Sequence, residues 1–208
     1  MLASLEEAID FIHKVRPWSA APGGGAPPQG DLPDGLALVY ERLGAPNLFR
    51  LGRLDRKQVH YGAMFAARDC LLPPSRLVRS DGTIEFAVEA QSNWTWRTLA
   101  GPGDPPVTCS YDPTFTFPRP PVFRVVCQSL RAFLVTFCLQ GAVVSSRSCR
   151  SLVGAGAAPE LDAAQLLWTG PYVDASPLRF YGVPGTGLLI MESVGPTGVD
   201  ITIGEGEP

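Results

Sequence analysis

Asp81-Gly-Thr-Ile-Glu-Phe-Ala-Val-Glu89 opens with a turn dipeptide and then alternates apolar Ile84, Phe86 and Val88 with Glu85, Ala87 and Glu89. A period of two places the three larger apolar side chains on one face of a strand, and Asp-Gly is a dipeptide that tight hairpin turns favour. Glu85 and Glu89 then share the opposite face, which reads as the wet side of a half-buried sheet. Trp94-Thr-Trp-Arg97 alternates in the same way, and the Gly101-Pro-Gly-Asp-Pro-Pro106 cluster separates it from Val107 to Ser110. Two or three antiparallel strands are therefore expected between Asn47 and Thr116.

On either side of this region the helical period takes over. Ser4-x-x-Glu7 can form a capping box, and Leu2, Leu5, Ile9 and Ile12 lay one apolar stripe on a helix that should stop near Arg16, before Pro17. Residues 20–30 are rich in Gly, Pro and Ala and suit a flexible loop without a function of its own. Pro33 to Leu43 reads as a second helix, with Leu36, Val39, Tyr40 and Leu43 on one face and Gly44 ready to end it. Val126, Leu130, Phe133 and Phe137 mark a longer helix, and its apolarity on every side calls for cover from more than one direction. Ser145 to Ala158 reads as a small-residue connection, and Pro159-Glu-Leu-Asp162 as a short helix. Leu178 to Tyr181, Gly187 to Glu192 and Val199 to Ile203 are short strands, after which Gly204 to Pro208 should fray. The order of helices and strands has no βαβ alternation. It predicts an α+β fold in one domain over 1–208, a mostly antiparallel sheet with helices packed on it, residues 159–208 completing that sheet.

Composition narrows the function. Twenty acids against seventeen cations give a net charge of −3, which does not favour a nucleic-acid binder. Leu130 to Val144 is interrupted by polar residues and is too short to cross a bilayer, and the N-terminus carries Glu6 and Glu7 where a signal peptide needs a basic start. A cytoplasmic protein is expected. Five cysteines, odd in number and without a Cys-x-x-Cys, point to free thiols rather than a disulfide framework or a zinc site. Neither Gly23-Gly-Gly25 nor Gly154-Ala-Gly-Ala157 has the strand before it or the lysine after it that a phosphate loop needs, so no cofactor is expected. Of the two histidines, His13 borders the first helix's apolar stripe. His60 is the one on which a catalytic alternative rests, a hydrolase or small-ligand site built from His60 with Cys70 or Cys109.

Between Phe86 and Asp104 the sequence gathers Glu89, Gln91, Trp94 and Trp96 on adjoining strands and follows them with a proline-fixed turn at Asp104. Tryptophan beside an acid and an amide suits protein recognition, and these five residues are the candidate partner contacts. Several segments in order resemble the SUKH superfamily, the SMI1/KNR4-like proteins. Leu32-Pro-Asp-Gly-Leu-Ala-Leu-Val-Tyr-Glu-Arg-Leu-Gly44 is similar to that family's Leu-Pro helix, and Pro73-Pro-Ser-Arg-Leu77 to its proline-marked segment. Ile84 to Gln91 resembles its strand ending in Glu-x-Gln, Trp94 or Trp96 its strand tryptophan, and Asp104-Pro-Pro-Val107 its turn. Val122 to Gln140 resembles the helix that follows, and Leu167 to Val173 with Arg179-Phe-Tyr181 the tail of longer members. Glu89-Ala-Gln-Ser92 departs from the more usual Glu-Asn-Gln-Gly, a change in the turn after the strand.

The resemblance implies an α+β fold and a non-catalytic role: an immunity protein that binds a cognate toxin of nuclease or deaminase type and neutralises it. The excess of acid is compatible with covering a basic surface on that toxin.

Overall fold

The computed structural model describes residues 1–16, 31–44, 69–72, 74–89, 93–112, 114, 120–146, 148–154, 158–173, 177–195 and 198–206. His60, Gln91 and the glycine-rich segment 20–30 lie outside the described residues, as does all of 47–68.

Among the described residues three α-helices form where the apolar stripes require them. Helix α1, Leu5–Val15, begins at Ser4, whose Oγ accepts from the Glu7 amide at 3.2 Å. Glu7 reaches back to the Ala3 amide rather than to that of Ser4, so the expected box closes one residue further out. Helix α2, Asp34–Leu43, ends at Gly44 with φ 75, a value that glycine adopts without strain. Helix α3, Leu130–Val144, is capped by Ser129 Oγ, which accepts from the Ala132 amide at 3.0 Å. It starts later than the sequence pattern suggests, because Val126 belongs to a strand that precedes it.

The strands fall into two antiparallel sheets. The N-terminal sheet contains β1 (Asp69–Leu71), β2 (Val78–Ser80), β3 (Thr83–Glu89), β4 (Thr95–Leu99), β5 (Val107–Cys109) and β6 (Arg124–Cys127), in the order β1-β3-β4-β5-β6 with β2 also paired to β3. The C-terminal sheet contains β7 (Ser148–Leu152), β8 (Gln165–Gly170), β9 (Leu178–Val183), β10 (Leu188–Gly195) and β11 (Gly198–Glu205), in the order β7-β11-β10-β9-β8. The fold is α+β, as the sequence pattern indicates. The strands after residue 159, however, do not complete the first sheet; they make a second one.

The reason lies in α3. Every residue from Phe133 to Val143 is buried, and a helix that is apolar all round needs cover on several sides. Phe86, Trp96 and Val107 of the N-terminal sheet and Phe180, Leu189 and Met191 of the C-terminal sheet join Phe133 and Phe137 in one core, with Leu5, Ile9 and Ile12 of α1 and Leu36 and Val39 of α2. The approach of β11 is close: a Cβ on Gly204 would come within 2.5 Å of the Val143 carbonyl oxygen. Gly204, expected to fray, is buried and paired with Leu189 and Cys149.

Two further differences follow from backbone pairing that side-chain patterns do not reveal. Strand β7 lies inside the expected small-residue connection, and four of its five residues are exposed, so no apolar alternation announces it. Residues Pro159–Ala163 form a 3-10 helix instead of an α-helix, and Leu161 packs with Ala158, Ile190, Ile201 and Ile203 on the side of the C-terminal sheet away from the main core. Among the described residues no helix is long and apolar enough to cross a membrane.

Candidate binding surface

The four expected contact residues that are described, Glu89, Trp94, Trp96 and Asp104, do not form one surface. Trp96 faces inward and is fully buried; its indole N–H donates to the Tyr172 carbonyl at 3.4 Å, and its ring meets Phe133, Phe137 and Tyr172. A side chain with no exposed surface cannot touch a partner, so Trp96 is a core residue. Asp104 is exposed, yet both carboxylate oxygens are engaged at the start of α3. Oδ2 accepts from Ser129 Oγ at 2.6 Å and Oδ1 from the Arg131 amide at 2.7 Å. There it satisfies an orphan amide and places negative charge at the positive end of the helix. Trp94 precedes β4, half-buried and edge-on to Tyr111 at 5.1 Å between ring centroids. Its indole N–H is buried without a hydrogen-bond partner among the described residues.

Glu89 departs most from expectation. A register irregularity between Glu85 and Ala87, where β3 pairs with β4, breaks the alternation of β3. Ile84, Phe86 and Ala87 all join the main core, while Val88 turns outward to Cys70 and Leu72. Glu85 and Glu89 consequently lie on opposite faces. Glu89 stands directly across the ladder from Asp69, on the same side as the buried pair Leu71 and Ala87. Both carboxylates are more than nine-tenths buried. The Tyr172 hydroxyl and Gln140 Nε2 donate to Asp69 Oδ2, the latter at 3.1 Å, and the Asn93 amide donates to Glu89 Oε2 at 3.2 Å. This polar group ties β1, α3 and the segment after β8 together across the core.

The same group bears on the thiols. Burial, reinforced by the negative charges of Asp69 and Glu89, pushes Cys70 up to about 12. Cys109 is pushed up to about 12 as well, by burial first and by Asp69 in addition. A thiol held in this range is protonated at neutral pH and is a poor nucleophile. Cys70 and Cys109 also sit in different clusters, Cys70 on the outward side of the N-terminal sheet and Cys109 in the main core. His13, for its part, bonds the Arg42 carbonyl through Nε2 at 3.1 Å and links α1 to α2. Among the described residues no group of three or more His, Cys, Asp and Glu side chains could hold a metal ion.

The surface that the sequence did not single out is the outward face of the N-terminal sheet. Register aligns Val78, Glu85, Arg97, Thr108 and Val125 in one row across β2, β3, β4, β5 and β6. Residues directly opposite in antiparallel strands share a face, so this row crosses the whole sheet on the side away from α3. At its centre Arg97 Nε and Nη2 both donate to Glu85 Oε2 at 3.0 Å, and the guanidinium lies 4.0 Å from the centroid of Phe123. Around this fixed ion pair stand Val78 at 49% exposure, Leu99 at 50% and Val125 at 54%. Single exposed apolar residues are ordinary; three of them with an aromatic ring on one flat sheet face are a patch. Finding it required the strand register, and the only local signal in the sequence was the alternation of Thr95, Arg97 and Leu99.

Comparison with protein-family models, with curated proteins and with solved structures finds no match for this chain.

Proposed function

We propose that this chain is a non-catalytic protein-binding module of SUKH type, a cytoplasmic immunity protein that covers the working surface of a nuclease- or deaminase-type toxin. The observation that supports a binding role is the outward face of the N-terminal sheet, where apolar side chains about half exposed surround an ion pair already fixed in place. A contact surface whose central side chains are held before the partner arrives loses less conformational freedom on binding. The buried, protonated state of Cys70 and Cys109 speaks against the alternative in which one of them works with His60.

The test is a pull-down from native lysate with the tagged wild-type protein and a Leu99→Arg/Val125→Arg variant, followed by mass spectrometry. A stoichiometric toxin-like partner retained by the wild type and lost by the variant is the expected result. Catalytic turnover by the purified protein, abolished by His60→Ala while the fold survives, would overturn the proposal.

A further inference from the structure

The two sheets have four lateral edges, and a strand edge with unpaired backbone groups is a template for a further strand. Among the described residues three of these edges carry a feature that hinders such pairing. The edge formed by β1 and β2 is interrupted by the 3-10 helix Pro74–Arg76. Strand β6 has an extra residue, Val126, where its register with β5 shifts. Strand β8 has a similar shift at Leu167, whose carbonyl accepts from the Leu2 amide at 2.8 Å, so the first residues of the chain are already bound there. Strand β7 has none of these. It keeps five consecutive partners on β11 without a shift, holds neither proline nor lysine, and exposes four of its five residues. Among the described residues no backbone segment pairs with it from its open side.

We infer that β7 is a dimer edge: it pairs antiparallel with β7 of a second copy of this chain about a two-fold axis at Ser151, joining two C-terminal sheets into one. The opposite edge of the same sheet selects this occupant. A β7-to-β8 contact between copies would propagate into a fibre, and β8 is blocked, whereas a β7-to-β7 contact is complete after two copies. Val153, one residue past the strand, is 75% exposed, more than any other large apolar side chain among the described residues except Met1. Its exposure is built in, because the Gly154 amide donates to Asp200 Oδ1 at 3.0 Å and fixes the turn that carries it.

Charge and cover set the register. An axis at Arg150 would put two arginines directly opposite each other, which like charges disfavour, and an axis at Cys149 would leave Val153 beyond the paired residues. With the axis at Ser151, Arg150 stands opposite Leu152 and Cys149 opposite Val153. Each arginine stem then lies on a leucine that is itself packed with Ile201, and the guanidinium keeps its ion pair with Glu160. At the axis two small side chains meet; Ser151 Oγ lies 3.2 Å from Thr202 Oγ1 of its own chain and leaves room for the second strand. The contact uses the C-terminal sheet and stands apart from the immunity reading; a dimer built this way presents the open face of the N-terminal sheet twice.

Sedimentation equilibrium of the full chain over a series of concentrations should show monomer and dimer in exchange. Ser151→Lys sets two ammonium groups against each other at the axis and alters only an exposed position of the monomer. Its dimer dissociation constant should rise at least about tenfold, equivalent to about 1.4 kcal/mol, with the thermal melt unchanged. A Cys149→Ser/Ser151→Cys protein treated with diamide should form an intermolecular disulfide, since residues facing across the axis bring their Cα atoms within the roughly 4.4–6.8 Å that a disulfide spans. Wild-type protein, whose two Cys149 side chains lie well apart along the ladder, should not. A monomer at every concentration, a dimer that Ser151→Lys leaves intact, or cross-linking through Cys149 in place of residue 151 would overturn the inference. A dimer lost in the Leu99→Arg/Val125→Arg protein and kept in Ser151→Lys would move the contact to the N-terminal sheet and overturn it as well. Protection of the β7 amides from exchange only on addition of a different protein would give the edge to that protein's strand, with the same consequence.

Discussion

The two sheets flank the same helix, yet their outer faces have been treated differently. On the C-terminal sheet, Ile190, Ile201 and Ile203 are covered by Ala158 and Leu161 from the segment leading into β8, so the chain closes the middle of that face with its own residues, while Leu166 on β8 and Val194 on β10 stay exposed. On the N-terminal sheet, the outward cluster of Cys70, Leu72 and Val88 closes only the end near β1, and Val78, Leu99 and Val125 stay half exposed. Both sheets supply an inner face to α3, so stability alone does not explain the difference. A chain that spends a segment to cover the middle of one sheet and leaves the row across the other uncovered marks the second as the face available to a partner.

Each sheet is held to the central layer by one large side chain, and removing these anchors should have the largest effects. For the N-terminal sheet the anchor is Trp96, locked among Phe133, Phe137 and Tyr172. Trp96→Ala should cost about 3–5 kcal/mol, the range for emptying a buried aromatic site, read as a drop in the urea midpoint. For the C-terminal sheet the anchor is Arg16, fully buried at the end of α1. Its guanidinium donates to the carbonyls of Ala142 at 3.3 Å, Gly187 at 2.8 Å and Gly204 at 3.1 Å, and to Ser146 Oγ at 2.8 Å. Arg16→Met keeps the length and removes the donors, leaving buried carbonyls without partners at about 1–3 kcal/mol each, offset in part because a buried charge is removed. A net loss of about 3 kcal/mol is expected, with amide exchange accelerating first in β10 and β11. Uniform acceleration in both sheets would show that Arg16 serves the whole core rather than one sheet.

How much of this contrast can be read from the sequence depends on the range of the interactions involved. Helix α1 with its Ser4 cap, α2 ending at Gly44 and the Asp81-Gly82 turn are local, and each has the residues its geometry demands; Asp81 and Gly82 indeed take φ 50 and 72. That α3 needs cover on more than one side was also legible, since its apolarity does not depend on where the cover comes from. The second sheet was not, because short runs such as Leu178–Val183 look the same whether they extend one sheet or build another. Glu89 was misplaced by a single register irregularity, which inverts every later residue of the strand relative to its face. The candidate surface is less legible still: Val78 and Val125 are 47 positions apart in sequence and meet in one row only through four successive strand pairings. Trp96 drew attention as a recognition residue for the property that makes it the core's largest buried side chain.

Alkaline pH should separate the two sheets by a smaller margin. Cys70 and Cys109, both in the N-terminal sheet, keep their protons up to about 12, whereas unfolded thiols ionise near their ordinary value of about 8.5. Between these limits the unfolded state binds fewer protons than the folded one, so stability falls as pH rises, by at most about 1.4 kcal/mol per pH unit for each thiol, and is fully retained below the lower limit. The C-terminal sheet's strands hold one cysteine, Cys149, which is exposed. Urea midpoints at about pH 8 and about pH 10.5 should therefore diverge, and a Cys70→Val/Cys109→Val protein should lose about two thirds of that divergence, the rest coming from Cys138 inside α3, whose thiol burial also pushes up. An unchanged slope in the double variant would trace the alkaline sensitivity to other buried groups, such as Tyr40, whose hydroxyl donates to the Leu72 carbonyl and is also pushed upward by burial.

The smallest expected change in stability falls on the open face itself, and its smallness is informative. Leu99 is half exposed on β4, three residues beyond Trp96 and on the other side of the same strand. A leucine retained for folding would lose burial when shortened, whereas one retained for a partner loses almost nothing in the isolated protein. Leu99→Ser should shift stability by less than about 0.5 kcal/mol, the usual range for a surface position, and thermal melts of variant and wild type should nearly coincide. The same substitution should weaken capture of the partner, since a central apolar contact in an interface commonly contributes more than about 1 kcal/mol. A loss of several kcal/mol in stability would mean that the face is closed in solution as its counterpart on the C-terminal sheet is, and the contrast between the two sheets would disappear with it.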